Sequence, residues 1–435
     1  MNLLHGSREG EQEKRKNWMR LDNAANIYPA IKSPRCTAVF RLWAELGEPV
    51  DRAVLSEALE NTLKRLPGFS SSLKSGVFWH YLEQQPGCPT IGDDVNNPCG
   101  YLDLQKNKGF LFRVRCYENR ISVEFFHVLT DGTGGMTFLK TLLGEYLRLK
   151  HGLVISYNDT VLDCSDPPRK AELENSFNTV ARPVSQSRRE RTAYHIRGRR
   201  EPEGVMHITT GIMPLSEISA LAKSYGATVN EFVVATLIMA FYRLQQKEKS
   251  VFQRKKPIKI SIPINLRKPF PSASLRNFTS YVNLGIDPVL GEHSLPEIIA
   301  VLRHSMAVEG STKALAVRLS TNVASERNPL LRITPLFMKN LILRLVYDMV
   351  GDRYNSATLS NLGLIKLPEQ MEVYVKRFGF MLGPGQNPVA CTCVSYGDSF
   401  SFNFSRTIRQ PIIEREFFTL LVKMGVHVTI ESNQR

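Results

Sequence analysis

The sequence predicts an α/β fold, a sandwich of helices on mixed sheets, spread over two halves. Three observations carry this. The first half opens strand–helix and continues through paired antiparallel strands into a long helix, the order of a mixed sheet covered by helices. A stretch without periodicity separates it from a second half of similar strand and helix content. A chain of 435 residues also exceeds what one ordinary core supports, so two domains are expected. The divisions fall at 1–160, at a crossover linker over 161–204, and at 205–435.

Thr37–Leu46 sets Phe40, Leu42, Ala44 and Leu46 against Arg41 and Glu45 and reads as a strand. Asp51 caps a helix with the buried stripe Val54, Leu55, Ala58, Leu59, Leu63 and Leu66, which Pro67-Gly68 ends. Val77–Leu82 and Leu111–Tyr117 are further strands, the latter joined by Glu118-Asn119-Arg120 to Ile121–His127. There Ile121, Val123, Phe125 and His127 share one face, and Ser122, Glu124 and Phe126 the other. After Asp131-Gly132 and Gly134-Gly135 the apolar spacing becomes helical through Met136, Leu139, Leu143, Tyr146 and Leu147. A histidine thus ends a half-buried strand, where a substrate can reach it, and its ordinary pKa near 6.5 suits a proton acceptor. Taken alone, such a histidine is more often a core residue and Asp-Gly more often only a turn.

From Tyr157 to Gly204 the pattern is lost, amid Pro167, Pro168, Pro183 and Pro202 and the cluster Arg188, Arg189, Arg191, Arg197, Arg199 and Arg200. The cluster reads as a solvated face, with phosphate attraction as the lesser alternative. His207–Met213 is a strand and a helix starts at Pro214. Thr228 and Glu231 form a capping box before FVVATLIMAFYRL. Ile260, Ile262, Ile264 and Leu266 alternate along a strand, and Leu336–Val350 is a partly basic amphipathic helix, read chiefly as packing and secondarily as a membrane-surface contact. Val389–Ser395 and Phe400–Ser405 form a hairpin, and Ile412–Met424 is the last helix.

The net charge of +15 admits nucleic acid, an anionic membrane or phosphate-bearing small molecules. Without a nucleic-acid module or alternating aromatic and basic residues, nucleic acid is not expected as a partner. Seven cysteines, at 36, 88, 99, 116, 164, 391 and 393, show no metal-type spacing, so reduced thiols and a cytoplasmic setting are expected. MNLLHGSREGEQEKRKNW has no apolar run behind its charges and does not read as a signal peptide.

HVLTDG (His127–Gly132) resembles the HxxxDG signature of acyltransferases built like chloramphenicol acetyltransferase, a group that includes alcohol acetyltransferases and peptide-synthetase condensation domains. VNEFVVA (Val229–Ala235) is similar to the helix start of those families, with Glu231 in place of aspartate. IPINLRKPF (Ile262–Phe270) is similar to their P-x-x-x-R segment and SNLG (Ser360–Gly363) to their short S-N-type strand. The opening WMRLDNAANIYPAI most resembles the alcohol acetyltransferase-like branch.

The resemblance implies two similar α/β domains with a tunnel between them, in which an acyl thioester meets an acceptor at His127. His127 is then the general base, a role worth roughly 10²–10⁴-fold. Asp131 organises the loop by pairing with Arg267, and Gly132 keeps backbone clear of the histidine. Ser360, Asn361 and Asn230 are candidates for oxyanion or substrate contacts, each with a simpler reading as a turn or cap residue. The resemblance implies no bound cofactor or metal; acyl-CoA is the co-substrate and a small-molecule or lipid hydroxyl the acceptor. A carrier-protein thioester supplied in trans, an amine acceptor and a non-catalytic binding protein of the same fold are the alternatives.

Overall fold

A computed structural model describes residues 18–181, 190–327 and 329–434. The polar residues 1–17, and Arg188 and Arg189 of the basic cluster, lie outside the described residues. The first half supplies β1 (Trp18–Arg20), β2 (Val39–Leu46), β3 (Ser71–Ser75), β4 (His80–Gln84), β5 (Gly92–Asp93), β6 (Phe112–Tyr117) and β7 (Arg120–Phe126). Its long helices are α1 (Arg52–Arg65) and α2 (Gly132–His151). The second supplies β8 (His207–Pro214), β9 (Ile258–Asn265), β10 (Thr279–Ile286), β11 (Ala357–Ile365), β12 (Val375–Leu382), β13 (Val389–Tyr396), β14 (Ser399–Arg406) and β15 (Thr429–Ser432). Among these run α3 (Leu215–Ser224), α4 (Val229–Gln246), α5 (Leu295–Glu309), α6 (Thr312–Arg327), α7 (Leu336–Val350) and α8 (Ile412–Lys423).

Two mixed sheets form the two lobes. The first has the order β12-β2-β7-β6-β5, the second β10-β9-β11-β13-β14-β8-β15, and β1-β4-β3 make a small third sheet. The side-chain oxygen of Asp51 caps α1 by accepting from the amides of Ala53 and Val54, and α1 packs with α2 against the first sheet. Phe125 of β7 stacks on Phe40 at 5.3 Å and on Phe112 at 6.0 Å, its cross-strand partners, and meets Phe138 of α2 edge-on. Strand β7 is buried on both faces rather than on one. Its second face is closed by charge: Glu124 accepts from Arg41, Arg113 and the amide of Cys99. Burial pushes its carboxyl up, and the Arg113 and Arg41 guanidiniums outweigh that and hold it below the usual range.

Three further sequence expectations are corrected. The strand placed at Val77–Leu82 is instead a hairpin of β3 and β4 whose tip, Gly76–Trp79, closes with the Gly76 amide on the Trp79 carbonyl; serine-rich β3 carries little strand propensity to announce it. Helix α7 does not turn its apolar stripe inward: Phe337 is 74 % exposed and Met349 64 %. The division at 205 does not hold for β12, which leaves the second half to pair antiparallel with β2 in the first sheet. No single helix among the described residues is long and apolar enough to cross a membrane.

The exchanged strand is seated by one glycine. A Cβ on Gly379 would lie 1.9 Å from the Trp43 indole, which is itself held between the guanidiniums of Arg120 and Arg377 at 4.7 and 5.1 Å. Gly379→Val is expected to lower stability by about 1–3 kcal/mol through overpacking, read as a drop in the urea midpoint.

Candidate active site

The site forms where β7 gives way to α2. The His127 amide donates to the Ala38 carbonyl, which ties the end of the strand to the start of β2. Asp131, in extended backbone, is the N-cap of α2, and its Oδ1 accepts from the Gly134 amide at 3.0 Å. Its Oδ2 accepts from Arg267 Nη1 at 2.8 Å and from the Phe278 amide at 2.8 Å. One buried carboxylate therefore caps a helix of the first lobe and holds the chain that follows β9 in the second. The Asp131–Arg267 pair is the one implied by the resemblance. Arg267 is fixed further by the carbonyls of Ser274 and Arg276 and by Asn265 Oδ1.

The segment 274–278 wraps the first turn of α2. Thr130 Oγ1 donates to the Leu275 carbonyl at 2.6 Å, and that oxygen would stand 2.1 Å from a Cβ on Gly134. Gly134 is thus the position that admits no side chain. Gly132 has more room: a Cβ there meets Leu362 at 3.0 Å.

The imidazole lies between rings. Tyr28, from the one-turn helix Tyr28–Ile31, stacks on it at 4.7 Å and 18°, and Phe40 lies against it at 5.0 Å. His127 keeps part of its surface open while Val128, Leu129 and Thr130 are buried. Burial lowers its pKa below the ordinary value; the Asp131 carboxylate and the Asn277 hydrogen bond pull the other way without prevailing. The ring is therefore neutral near pH 7.

Asn277 decides which nitrogen holds the proton. Its Nδ2 donates to the His127 carbonyl at 3.0 Å and to Asp22 Oδ2 at 3.2 Å. The carbonyl can only accept, so the amide is oriented by it alone. Its Oδ1 then faces His127 Nδ1 at 3.0 Å, which makes Nδ1 the protonated nitrogen and leaves the lone pair on Nε2. Asp22 is buried beside Arg276 at 3.6 Å; burial raises its carboxyl and Arg276 opposes this.

Sequence reasoning missed Asn277, Asp22 and Tyr28 as site residues and read Gly134 only as a turn glycine. Asn277 lies 150 residues from His127 in the chain, and spacing carries no trace of such a contact. The remaining candidates sit on the second lobe. Asn361 Nδ2 donates to Asn230 Oδ1 at 3.0 Å, so these two side chains are occupied with each other. Ser360–Gly363 is a β-bulge in β11: the register to β13 shifts between Asn361 and Leu364, with Gly363 at φ +73°. The bulge sets Leu362 against Gly132.

Asp131→Asn removes the charge that Arg267 answers while keeping the helix cap within reach. Loss of one partner of a buried pair costs about 3–5 kcal/mol, and a thermal-melting shift of that size is expected.

No family model matches the chain, and no curated protein matches it by sequence. Solved structures do. Polyketide synthase associated protein 5 from Mycobacterium tuberculosis is 14 % identical, with 93 % of this chain and 97 % of that one covered at a TM-score of 0.59. A mutant starter condensation domain of rhizomide synthetase, in complex with C8-CoA and Leu-SNAC, is 10 % identical over 94 % and 95 % at 0.61. TRI3 trichothecene 15-O-acetyltransferase from Fusarium sporotrichioides is 11 % identical over 93 % and 94 % at 0.59. At such identities the likeness is one of architecture, and the chain has the two-lobed α/β fold shared by condensation domains and chloramphenicol acetyltransferase-like acyltransferases.

Proposed function

We propose that this chain is an O-acyltransferase, of the alcohol acetyltransferase type, that moves an acyl group from acyl-CoA to a hydroxyl. The observation that carries the reading is the Asn277 amide. It leaves a neutral imidazole with its free lone pair on Nε2, the form a general base requires. The acceptor O–H gives its proton to Nε2 as its oxygen attacks the thioester carbonyl. A C–O bond forms, the C–S bond breaks, and the leaving thiolate takes the proton back from the imidazolium. No covalent enzyme intermediate is needed.

Asp131 and Arg267 hold the loop on which the imidazole stands. Gly132, at the start of α2, faces Leu362 of the second lobe; Ser360, Asn361 and Asn230 are the second-lobe candidates, with the mutual pairing of Asn361 and Asn230 favouring a positioning role over direct oxyanion contact. A CoA donor is supported by the C8-CoA bound to one structural neighbour. A cavity of about 520 Å³ with Arg197, Arg200 and Arg353 on its wall, beside Asp348 and Asp352, offers room and cationic groups for phosphates. The second reading, transfer from a carrier-protein thioester or to an amine, is supported by the condensation domains among the neighbours.

Incubation with acetyl-CoA or longer acyl-CoA and a panel of alcohols and amines, followed by free-thiol release, separates these. Acceptor-dependent release is expected with alcohols; release only with amines, or only from a carrier thioester, selects the second reading. His127→Ala is expected to lower that rate by roughly 10²-fold or more; an undiminished rate rejects the assignment. Because burial lowers the His127 pKa, the base form persists to lower pH than for a free imidazole. The rate should therefore rise with pH through an ionisation below about 6.5 and level off above it.

Asn277→Leu is expected to lower kcat by roughly 10- to 100-fold with KM little changed, since the ring loses its tautomer lock. Asn277→Asp, which still accepts from Nδ1–H, should restore part of kcat and raise the apparent ionisation. Equal losses in both variants with an unshifted pH profile would mark Asn277 as structural.

A further inference from the structure

Helix α7 is amphipathic the wrong way round for a helix held by its own protein. Phe337, Leu341, Leu345 and Met349 recur at every fourth residue, with Ile342 and Val346 beside them, and all are exposed. The inward side is narrow and mixed, with Leu336 and Leu343 half-buried beside polar contacts. Asn340 Nδ2 reaches His80 Nε2 at 3.3 Å, and the Tyr347 hydroxyl reaches Cys36 Sγ at 3.7 Å. The stripe does not end with the helix. The Leu336 amide donates to the Val77 carbonyl at 2.8 Å and Lys339 Nζ to the Phe78 carbonyl at 2.7 Å. This fastens α7 to the β3–β4 tip, where Val77 is 72 % exposed.

We propose that α7 and this hairpin tip dock the protein on an anionic lipid bilayer. Contiguous apolar surface left in water calls for an occupant, and three features choose the bilayer. The helix carries Lys339 and Arg344 beside the stripe, with Arg332 shortly before its start, against the single acid Asp348, in a chain of net charge +15. Two copies meeting on this face would bring like charges together, whereas anionic headgroups complement them. Two of the chain's three tryptophans, Trp18 and Trp79, stand half-exposed on the small sheet, Trp79 beneath the Arg20 guanidinium at 5.0 Å. Half-exposed indoles beside cations suit the headgroup level.

The face is also close to the imidazole. Tyr347 on the inner side of α7 touches Cys36, and α7 packs on the one-turn helix Tyr28–Ile31, whose Tyr28 stacks on His127. One layer of helix thus separates the docked surface from the site. Resting on the acyl-transfer reading, the acceptor class is then an amphiphile with its hydroxyl at headgroup depth.

The test is flotation of the full chain with phosphatidylcholine vesicles, with and without phosphatidylglycerol, alongside Leu341→Glu/Leu345→Glu. Both positions are exposed, so the variant should keep the wild-type melting temperature. The expected result is binding to phosphatidylglycerol vesicles that weakens with salt and falls at least tenfold in the variant. Wild-type protein that stays unbound with both compositions overturns the proposal. So does a variant that floats as well as wild type, or a dimer by light scattering that the variant dissolves without any vesicle binding. These readouts need no activity, so they stand whether or not acyl transfer is found. Where transfer is found, the variant should keep the wild-type rate on a soluble alcohol and lose rate on a hydroxyl lipid presented in vesicles. An unchanged rate on both would overturn the acceptor class.

Discussion

The carboxylate of Asp131 is asked to satisfy two lobes at once. One oxygen completes the hydrogen bonding of a helix start and the other anchors Arg267 and the Phe278 amide. Neither task could be left undone cheaply, because a buried carboxylate without partners is among the costliest groups a protein can hold. The two lobes are therefore referenced to a common atom pair, four residues from His127. Segment 274–278, drawn in by the same contact, delivers Asn277 to the imidazole. The structural tie and the tautomer lock are consecutive parts of one loop.

This arrangement also explains why the histidine is so enclosed. Aromatic rings on either side remove water from it and depress its pKa, and the backbone carbonyl of the same residue orients the amide that sets its tautomer. Most of what the imidazole needs is supplied by main-chain atoms or by neutral groups. A charged partner at Nδ1 would stabilise the imidazolium and raise the pKa; an amide orients the ring at less cost to its neutrality. Of the seven thiols, Cys391 and Cys393 share a buried face of β13, where burial pushes both up and keeps them inert.

Local patterns were the legible part. The Asp51 cap, the Thr228–Glu231 capping box and the alternation of β9 each depend on residues a few positions apart, and the structure has them where the sequence reading set them. His127 stood out at the end of its strand, but the pairing of Asp131 with Arg267 came into view only through a resemblance, since 136 residues separate the acid from its partner. Asn277 had no such aid, since an asparagine between an arginine and a phenylalanine looks like any loop, and the resemblance of the stretch that holds Asp22 and Tyr28 assigned neither of them a role. The serines of β3 concealed a strand because pairing with β4, not propensity, holds it. Helix α7 misled for a subtler reason, in that periodicity reports that a helix has an apolar face and is silent about which way it points.

Strand β12 has one more consequence. Because it leaves the second lobe to become an edge of the first sheet, and the chain returns at once through β13, the lobes are stitched by two covalent crossings plus a full ladder of backbone bonds to β2. A clamshell that swings wide would have to unzip that ladder. The spacing of the lobes is therefore nearly fixed, and any molecule proposed to reach His127 would have to fit the side chains already in place rather than rely on a closing motion.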